Sequence, residues 1–316
     1  MADNQNGVSG RQEPVWLKLA ALLLFVWESS AGYLASLVHW LLPRRPKMIR
    51  GQVVVVTGAA QGIGAQLCRQ LSCQHGAKVA MLDRNQRLNE EMAATIRDEG
   101  GEVYAFTADV TQPEQLQEAA KSITEHPHLG CADIVICNAG IMITKRFWEL
   151  SDEHIRSTMD VNILGVFWTI RAFLTSMRAR NSGHIVTVSS IAGHFGESYS
   201  AAYSASKFAV RGLMESLRYD LEEDASSNIR LTLIYPFFTI TPLIKDCQVY
   251  SRFYPLSTAE ETAAGIVDAV LCEKREAFLT STMSLACNAG KALLPFRVAA
   301  ALRKLLKVQF YHQDER

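Results

Sequence analysis

A tyrosine and a lysine four residues apart are the first pair of side chains that could do chemistry. They are Tyr203 and Lys207, in the segment Y-S-A-S-K. Residues at this spacing are neighbours on a helix, so an ammonium would lie beside a phenol. A nearby positive charge stabilises phenolate and is expected to lower the pKa of Tyr203, which makes the phenol a usable base. The alternative is a plain contact on a helix surface. Tyr199 has no lysine four residues after it.

Two further polar side chains could serve a reaction at this tyrosine. Ser190 lies thirteen residues before Tyr203, at the end of a predicted strand, and its hydroxyl could hold the substrate oxygen whose proton Tyr203 exchanges. The adjacent Ser189 could be mistaken for it. Asn162 is a polar residue in an apolar stretch. It is either a hydrogen-bonded core amide or a holder of water in a proton path from Lys207 to solvent.

A glycine-rich segment indicates where a dinucleotide could bind. The first predicted strand leads directly into T-G-A-A-Q-G-I-G, residues 57–64, and a helix is predicted to follow. Glycines permit a tight turn and a close approach of backbone to a pyrophosphate, and the helix N-terminus supplies free N–H groups. The second predicted strand ends at Asp83, which could accept hydrogen bonds from ribose hydroxyls or could be a solvated turn residue. Asp83 would repel a 2′-phosphate, whereas Arg84 could pair with one, so NAD is predicted with NADP as the alternative.

Short apolar runs alternate with amphipathic stretches and predict the scaffold for these groups. Strands are predicted at residues 53–56, 77–82, 103–106, 134–137, 184–188, 229–235 and 277–279. Helices are predicted at residues 64–75, 86–99, 113–125, 152–180, 202–223 and 259–272. This alternation is typical of an α/β fold with a single doubly wound parallel sheet covered by helices on both faces.

Two more segments follow predicted strands of this sheet. Asp109-Val110 follows the third strand, and Asn138-Ala139-Gly140 follows the fourth. Open α/β sheets bind ligands at the carboxyl ends of their strands. We therefore expect both segments to line one crevice.

The N-terminal region differs from the rest of the chain. Residues 15–42 are apolar and interrupted by Lys18, Glu28 and His39, and about 20 residues suffice to cross a bilayer as a helix. A hydrophobic membrane anchor is therefore predicted, with a buried core helix and a cleaved signal peptide as alternatives. Glu28 lies in the middle of this segment, and an ionised carboxylate is costly in hydrocarbon. A hairpin or an interfacial helix therefore agrees with the sequence as well as a straight transmembrane span does. The basic run at residues 43–47 favours a cytosolic main domain.

Composition argues against several classes of protein. The 316 residues include 32 basic and 32 acidic side chains, so the chain has no basic field for nucleic acid. Seven scattered cysteines without a C-x-x-C pair suggest neither a disulfide framework nor a zinc site, and no metal site is predicted. The predicted organisation is a tail and anchor at 1–50, a catalytic domain at 51–283 and an amphipathic C-terminal extension at 284–316.

The motifs T-G-A-A-Q-G-I-G, N-A-G and Y-S-A-S-K, with Asn162 and Ser190 between them, resemble the short-chain dehydrogenase/reductase family. The resemblance covers about residues 51–280. It implies a Rossmann-type domain that binds a nicotinamide cofactor and catalyses redox chemistry.

The resemblance also implies roles for individual residues. Tyr203 would be the general acid/base, Lys207 would bind the nicotinamide ribose and tune Tyr203, Ser190 would orient the substrate, and Asn162 would complete a catalytic tetrad. Thr241 matches a position that contacts the carboxamide side of the cofactor. The predicted cofactor-binding residues are Gly58, Gln61, Gly62, Ile63, Gly64, Asp83, Asp109, Val110, Asn138, Tyr203, Lys207 and Thr241. One departure is Pro236-Phe237, where many members have Pro-Gly; it is expected to enlarge an apolar wall beside the substrate.

A narrower similarity concerns the N-terminus, where L-L-P-R-R-P-K precedes G-Q-V-V-V-V-T-G-A. This arrangement is similar to the membrane-associated retinol dehydrogenase and hydroxysteroid dehydrogenase branch. It implies a lipophilic alcohol, ketone or aldehyde substrate, with retinol/retinal or a hydroxysteroid expected first. It also implies a homodimer on the endoplasmic reticulum membrane or a lipid droplet, with the catalytic domain facing the cytosol. The alternatives are a reductase of long-chain 3-ketoacyl or other lipid carbonyls and a non-catalytic NAD-sensing or scaffold protein.

Overall fold

A computed structural model describes residues 46–244, 247–250, 255–280 and 309–312 of the chain, with the backbone alone at 247–250 and 309–312. It also describes eight helical positions near the N-terminus, which are Trp16, Leu19, Ala20, Leu23, Leu24, Val26, Trp27 and Ser30. The chain divides into two compact units, Met1–Arg45 and Pro46–Arg316.

The described part of the first unit consists of these eight positions. Its six largest side chains are apolar and each is more than half exposed: Trp16, Leu19, Leu23, Leu24, Val26 and Trp27. Among the residues that the structure describes, no helix is both long enough and apolar enough to cross a membrane. Most of the predicted anchor at 15–42 lies outside the described residues, so the anchor stays a prediction.

A parallel sheet forms the centre of the second unit. The strands in chain order are β1 Val53–Thr57, β2 Lys78–Asp83, β3 Val103–Thr107, β4 Ile134–Cys137, β5 Gly183–Val188, β6 Ile229–Tyr235, β7 Thr239–Ile240, β8 Cys247–Tyr250, β9 Ser257–Thr258, β10 Glu276–Phe278 and β11 Gln309–His312. Seven of them form the sheet, in the order β10-β6-β5-β4-β1-β2-β3, and every pairing is parallel. The order reverses between β1 and β4, which is where open α/β sheets bind ligands. The prediction of a doubly wound parallel sheet is confirmed.

Helices cover both faces of this sheet. They are α1 Gly62–Arg69, α2 Gln86–Asp98, α3 Pro113–Glu125, α4 Asp152–Met159, α5 Gly165–Arg180, α6 Ala201–Glu222 and α7 Ala259–Leu271. Strand β1 shows why the sequence requires two layers. Val54 and Val56 belong to one buried apolar cluster and Val53 and Val55 belong to the other, because successive side chains point to opposite faces. Four consecutive valines therefore indicate a strand that is buried on both faces.

The predicted helix at 152–180 is interrupted. A π-helical turn, Asp160–Leu164, separates α4 from α5. A Cβ on Gly165, the first residue of α5, would lie 2.8 Å from Cγ2 of Val110, so the helix passes very close to the loop after β3. A π turn changes the direction of side chains within an otherwise continuous helix and is common at functional sites. Hydrophobic periodicity alone does not reveal such a turn.

The C-terminal extension predicted at 284–316 lies mostly outside the described residues. Its described part, Gln309–His312, is the strand β11, which pairs antiparallel with β8. An amphipathic helix in the remainder stays a prediction.

A buried histidine ties the start of the second unit to the sheet. The Lys47 ammonium lies 3.0 Å from Nδ1 of His184 and 3.2 Å from the Glu273 carboxylate, while Nε2 of His184 lies 2.8 Å from the Thr232 hydroxyl. An ammonium can only donate, so Nδ1 of His184 accepts and Nε2–H donates to Thr232. Burial lowers the pKa of His184 to about 3, and the nearby Lys47 charge acts in the same direction.

This arrangement predicts a specific loss of stability in acid. The pKa of His184 is about 3 in the folded chain and 6.5 ordinarily, so the unfolded chain binds the extra proton between these values. The stabilisation is complete above pH 6.5 and declines as the pH falls towards 3. The variant His184→Asn keeps an acceptor near Lys47 but cannot titrate, and should lose about 2 kcal/mol less stability than the parent when the pH is lowered by about two units from 6.5. Urea unfolding at both pH values measures it, with the exposed His128→Asn as control. Equal losses in parent and His184→Asn would contradict the assignment.

Candidate active site

Three of the predicted catalytic side chains meet at the carboxyl end of β5. Ser190 follows β5 directly, and Tyr203 and Lys207 lie in the first two turns of α6. The side chains of Tyr203 and Lys207 are buried, at 9% and 5% exposed. The hydroxyl of Ser190 is near enough to the Tyr203 hydroxyl to act on its pKa. The structure thus brings the phenol, the hydroxyl and the ammonium together as the sequence predicts.

The sequence predicts that Lys207 lowers the pKa of Tyr203, and this prediction is wrong. Burial raises the pKa of Tyr203 to about 12, although its hydrogen bond with Ser190 acts to lower it. Burial also lowers the pKa of Lys207 to about 8. The Lys207 ammonium donates to the Val188 carbonyl at 3.0 Å and lies 5.5 Å from the centroid of the Tyr203 ring. Desolvation therefore outweighs the effect of Ser190, and Tyr203 is a protonated phenol at neutral pH.

The two adjacent serines have different partners. Ser189 is buried and donates its hydroxyl hydrogen to the Lys207 carbonyl at 3.2 Å, so it packs against the backbone of α6. Ser190 accepts a hydrogen bond from the Ala192 N–H at 3.1 Å, and its hydroxyl also reaches Tyr203. Ser190, not Ser189, is therefore placed to contact a substrate oxygen beside the phenol.

Asn162 lies in the π turn and is fully buried. Its amide group donates to the Ile141 carbonyl at 2.9 Å and to the Ser206 hydroxyl at 3.0 Å, and its oxygen accepts from the Ile141 N–H at 2.8 Å. These contacts agree with the hydrogen-bonded core amide. Asn162 joins the loop after β4 to α6, because Ser206 in turn donates to the Tyr203 carbonyl at 2.7 Å. A water-holding role stays a prediction.

The glycine-rich bend between β1 and α1 has the geometry that a dinucleotide needs. Gly58 and Gly62 have φ of +66° and +58°, a backbone conformation that L side chains rarely adopt. A Cβ on Gly64 would overlap the carbonyl oxygen of Gly58 and lie 2.8 Å from Nδ2 of Asn138. The bend therefore closes tightly on itself and leaves backbone rather than side chains at the strand end.

The N-terminus of α1 is open to an anion. Gln61 precedes the helix, is exposed and makes no side-chain hydrogen bond to the helix N–H groups, and the first turn contains no acidic residue. The side chain of Ile63 packs on the core instead. Uncapped N–H groups at a helix start bind phosphate readily, so these residues fit a pyrophosphate.

Asp83 lies at the end of β2 and faces the same bend. One carboxylate oxygen accepts from the Ala60 N–H at 3.1 Å, and the other accepts from the Asn85 N–H at 2.9 Å. A carboxylate oxygen has a second lone pair, so both oxygens can still accept hydrogen bonds from ribose hydroxyls. Arg84 is exposed. The position of Asp83 thus agrees with its predicted contact to the cofactor.

The carboxyl ends of β3 and β4 lie at the same edge of the sheet as the glycine-rich bend. Nδ2 of Asn138 donates to the carbonyls of Thr57 and Gly58 at 3.0 and 3.2 Å, so this side chain shapes the glycine-rich bend. Asp109 accepts from both the N–H and the hydroxyl of Thr111, each at 2.9 Å. Val110 is buried beside the start of α5. Both segments lie at one edge of the sheet. That they line one crevice stays a prediction.

Thr241 approaches the bend from the loop after β6. A Cβ on Gly62 would lie 3.5 Å from Cγ2 of Thr241, which is ordinary van der Waals distance. The Thr241 hydroxyl donates to the Thr239 carbonyl at 3.3 Å. Thr241 is therefore next to the residues that would hold the cofactor.

An apolar cluster lies beside Ser190. Ile191 and Phe237 are buried together, and Phe195, Phe238 and Phe278 pack against them. The Ile191 N–H donates to the Pro236 carbonyl at 3.0 Å, which joins the loop after β5 to the loop after β6. Phe237, the departure from Pro-Gly, is thus part of an apolar wall that begins one residue from Ser190.

Two residues that support the segments around the catalytic side chains were not identified from the sequence. They are Ser206 on α6 and His194 in the loop after β5. Ser206 links Asn162 to α6, and His194 packs edge-on against Tyr235 at 4.4 Å between ring centroids. Nδ1 of His194 lies 3.3 Å from the Arg211 guanidinium, one helical turn after Lys207. The position of Ser206 inside Y-S-A-S-K was an available signal, whereas no local pattern marks His194.

Comparisons with known proteins agree with this geometry. The family profile described as short chain dehydrogenase matches residues 52–248. Human 17-beta-hydroxysteroid dehydrogenase 13 is 33% identical over 92% of this chain and 94% of its own. Estradiol 17-beta-dehydrogenase 11 of Pongo abelii is 32% identical over 88% of this chain and 90% of its own. The crystal structure of a short chain dehydrogenase/reductase from Burkholderia phymatum in complex with NAD has the same fold, with a TM-score of 0.68 and 24% identity over 76% of this chain and 92% of that chain.

The chain belongs to the short-chain dehydrogenase family. It is an NAD(P)-dependent alcohol dehydrogenase of the short-chain type. Within the family it belongs to the branch of the two relatives named above.

Proposed function

We propose that this protein is a membrane-associated oxidoreductase that transfers a hydride between NAD and a lipophilic alcohol or its carbonyl product. The observation that carries the proposal is the position of Ser190 and Tyr203 next to the buried Lys207 and to the apolar cluster of Ile191 and Phe237. Retinol/retinal or a hydroxysteroid is the substrate class.

Each polar group of the site has a defined task in this proposal. The backbone of the glycine-rich bend and the start of α1 hold the pyrophosphate, and Asp83 holds the adenosine ribose. When bound, the nicotinamide supplies or accepts the hydride at the carbinol carbon. Ser190 binds the substrate oxygen, and Tyr203 gives a proton to that oxygen or removes one from it. Lys207 binds the nicotinamide ribose.

The apolar wall supports a lipophilic substrate. Ile191, Phe195, Phe237 and Phe238 form an apolar cluster in the loops that follow Ser190 and β6. A ligand site lined with apolar side chains and a few placed polar groups suits a hydrophobic molecule with one reacting oxygen. The names of the two relatives indicate steroid substrates for those proteins, and we extend that class to this chain.

The cofactor preference rests on Asp83. Its carboxylate is fixed by two backbone N–H groups, so it remains near the adenosine ribose and repels a 2′-phosphate. The variant Asp83→Ser should reduce the ratio of kcat/KM for NAD over NADP about tenfold or more, because it removes both the ribose contact and the repulsion. The exposed Asp98→Ser is the control and should keep the parent ratio. An unchanged ratio in Asp83→Ser would contradict the assignment of this carboxylate.

The membrane association, the location and the oligomeric state are parts of the proposal. The exposed apolar side chains of the first unit, with Trp16 and Trp27 among them, suit burial in lipid. We place the protein on the endoplasmic reticulum membrane or a lipid droplet, with the second unit in the cytosol. Leu164, Phe167 and Phe208 are exposed at or near α5 and α6, and this apolar surface suits a homodimer.

Product analysis tests the proposed function. Membranes containing the full chain are incubated with retinol, a hydroxysteroid or a long-chain 3-ketoacyl substrate, with NAD(H) and NADP(H) compared, and membranes with Tyr203→Phe are the control. We expect NAD-dependent formation of retinal or ketosteroid in the parent alone. Turnover of the 3-ketoacyl substrate alone would favour the lipid carbonyl reductase, and dinucleotide binding without any turnover would favour the sensor or scaffold.

A further inference from the structure

The loop that joins β5 to α6, residues 189–200, carries Ser190 near its start and leads to Tyr203 in the first turn of α6. We call it the serine loop. A 3-10 turn, Ile191–Gly193, follows Ser190 directly, and the Gly193 N–H donates to the Ser190 carbonyl at 2.8 Å. The backbone of Ser190 is therefore part of this turn, and a contact that holds the turn also holds Ser190.

The turn packs directly on α6. A Cβ on Gly193 would lie 2.9 Å from the Lys207 carbonyl oxygen, a distance that real Cβ atoms essentially never show. The Ser189 hydroxyl donates to the same carbonyl at 3.2 Å. The serine loop thus contacts the backbone of the residue that supplies the buried ammonium, and the missing side chain of Gly193 permits this close approach.

His194 ends the turn and adds a side-chain contact to α6. Its ring is buried and packs against Tyr235 at 4.4 Å and Phe278 at 5.1 Å between ring centroids. Nδ1 of His194 lies 3.3 Å from Nη1 of Arg211, which is one helical turn after Lys207. A guanidinium can only donate, so Nδ1 accepts and the ring proton is on Nε2. His194 therefore joins the serine loop to α6.

The polar nitrogen of this ring is not needed for packing. Burying a polar atom costs free energy unless it is hydrogen-bonded, so an apolar ring would pack against Tyr235 and Phe278 at a lower cost. The chain instead places an acceptor here, opposite a guanidinium on α6. Arg211 is half-buried, which reduces the screening of this contact by solvent. The contact is thus suited to fix the loop at one position on the helix.

We propose that His194 is a positioning residue for the dehydrogenase reaction. Through Arg211 it fixes the serine loop on α6, so that Ser190 and Tyr203 stay at the separation that a substrate oxygen between them requires. This inference rests on the proposed function, which assigns the roles of Ser190 and Tyr203. A displacement of about 1 Å at the reacting groups can lower a rate about a hundredfold, so a loosened loop slows the reaction even when every catalytic side chain is present.

Removal of either partner tests the proposal in the full chain. His194→Phe keeps an aromatic ring in the buried space but has no acceptor, and Arg211→Met removes the donor. We expect each variant to lower kcat for the alcohol about tenfold, with the dissociation constant for NAD within about twofold of the parent because the glycine-rich bend is unchanged. Arg218→Met is the matched control, since Arg218 also lies on α6 and donates to the Arg275 carbonyl at 3.2 Å. Its kcat should equal that of the parent.

Two further variants separate positioning from a purely structural role. His194→Asn puts an amide oxygen where Nδ1 lies, so it should restore kcat to within about threefold of the parent. The double variant of His194→Phe and Arg211→Met should be about tenfold slower than the parent rather than a hundredfold, because both substitutions remove the same contact. Thermal unfolding shows that each variant is folded at the assay temperature. A lowered unfolding temperature with unchanged kcat, or equal kcat in His194→Asn and His194→Phe, would overturn the proposal.

The outcomes separate this inference from the proposed function. If the parent turns over none of the alcohols, the proposed function fails, whereas nitrogen NMR of labelled histidine still reports whether Nδ1 of His194 accepts from Arg211. A His194 signal that is the same in Arg211→Met would overturn the contact and the proposal with it. If the parent is active and both His194→Phe and Arg211→Met match it, the proposed function stands and the positioning role fails. Where His194→Phe does not fold, the comparison of Arg211→Met with Arg218→Met decides.

Discussion

The variant Tyr203→Phe should lower kcat about a thousandfold while the dissociation constant for NAD stays within about twofold of the parent value. The substitution removes the hydroxyl that exchanges a proton with the substrate oxygen and keeps the ring that fills the buried space beside Lys207. Steady-state turnover with the alcohol and fluorescence titration with the dinucleotide measure the two effects separately.

Tyr199→Phe is the matched control for this experiment. Tyr199 has φ of +62°, and its ring lies 4.8 Å from the Arg146 guanidinium. Tyr199 has no role in the proposed reaction. The turnover of Tyr199→Phe should therefore equal that of the parent. Full activity in Tyr203→Phe, or an equal loss in both variants, would contradict the role of Tyr203.

Lys207→Met should combine a large loss of activity with no loss of stability at neutral pH. We expect kcat to fall by about a hundredfold or more, because the ammonium next to the phenol and its proposed contact to the nicotinamide ribose are removed. Burial lowers the pKa of Lys207 to about 8 from 10.5, so keeping this side chain charged costs folding free energy on the order of 3 kcal/mol. Methionine fills the same space without that cost, although the Val188 carbonyl loses its donor.

The sign of the pH dependence follows from the same values. Between pH 8 and 10.5 the unfolded chain binds the Lys207 proton more strongly than the folded chain, so the parent becomes more stable as the pH rises. The advantage of Lys207→Met is therefore complete below pH 8 and disappears towards pH 10.5. Thermal unfolding of both proteins across this range measures it. If the parent instead loses stability relative to Lys207→Met between pH 8 and 10.5, the assignment of a buried ammonium with a lowered pKa is contradicted.

The sequence predicts the sheet well because burial on both faces leaves a strong local pattern. β4 and β6 begin and end where the sequence predicts, and β1 differs by one residue at Thr57. The runs of Val and Ile in β1 and β4 have no polar face, as expected for a parallel sheet covered on both sides. The glycine-rich bend and the Y-S-A-S-K helix were also predictable, since each occupies a few consecutive residues.

The features that the sequence did not predict depend on contacts between distant segments. The π turn that holds Asn162 is followed directly by Gly165, which passes close to Val110 in a distant part of the chain. The raised pKa of Tyr203 follows from burial under other elements, whereas four-residue spacing predicts only the neighbouring charge. The pairing of β8 with β11 joins segments from separate parts of the chain.

Transfer of a labelled hydride tests the central claim most directly. An alcohol that carries deuterium on its carbinol carbon is incubated with NAD and the full chain, and the reduced dinucleotide is analysed by mass spectrometry. Direct transfer predicts reduced dinucleotide that carries one deuterium per molecule of ketone or aldehyde formed, and none when Tyr203→Phe replaces the parent. Product formed without deuterium in the dinucleotide, or no product with any of the alcohols, would contradict the account.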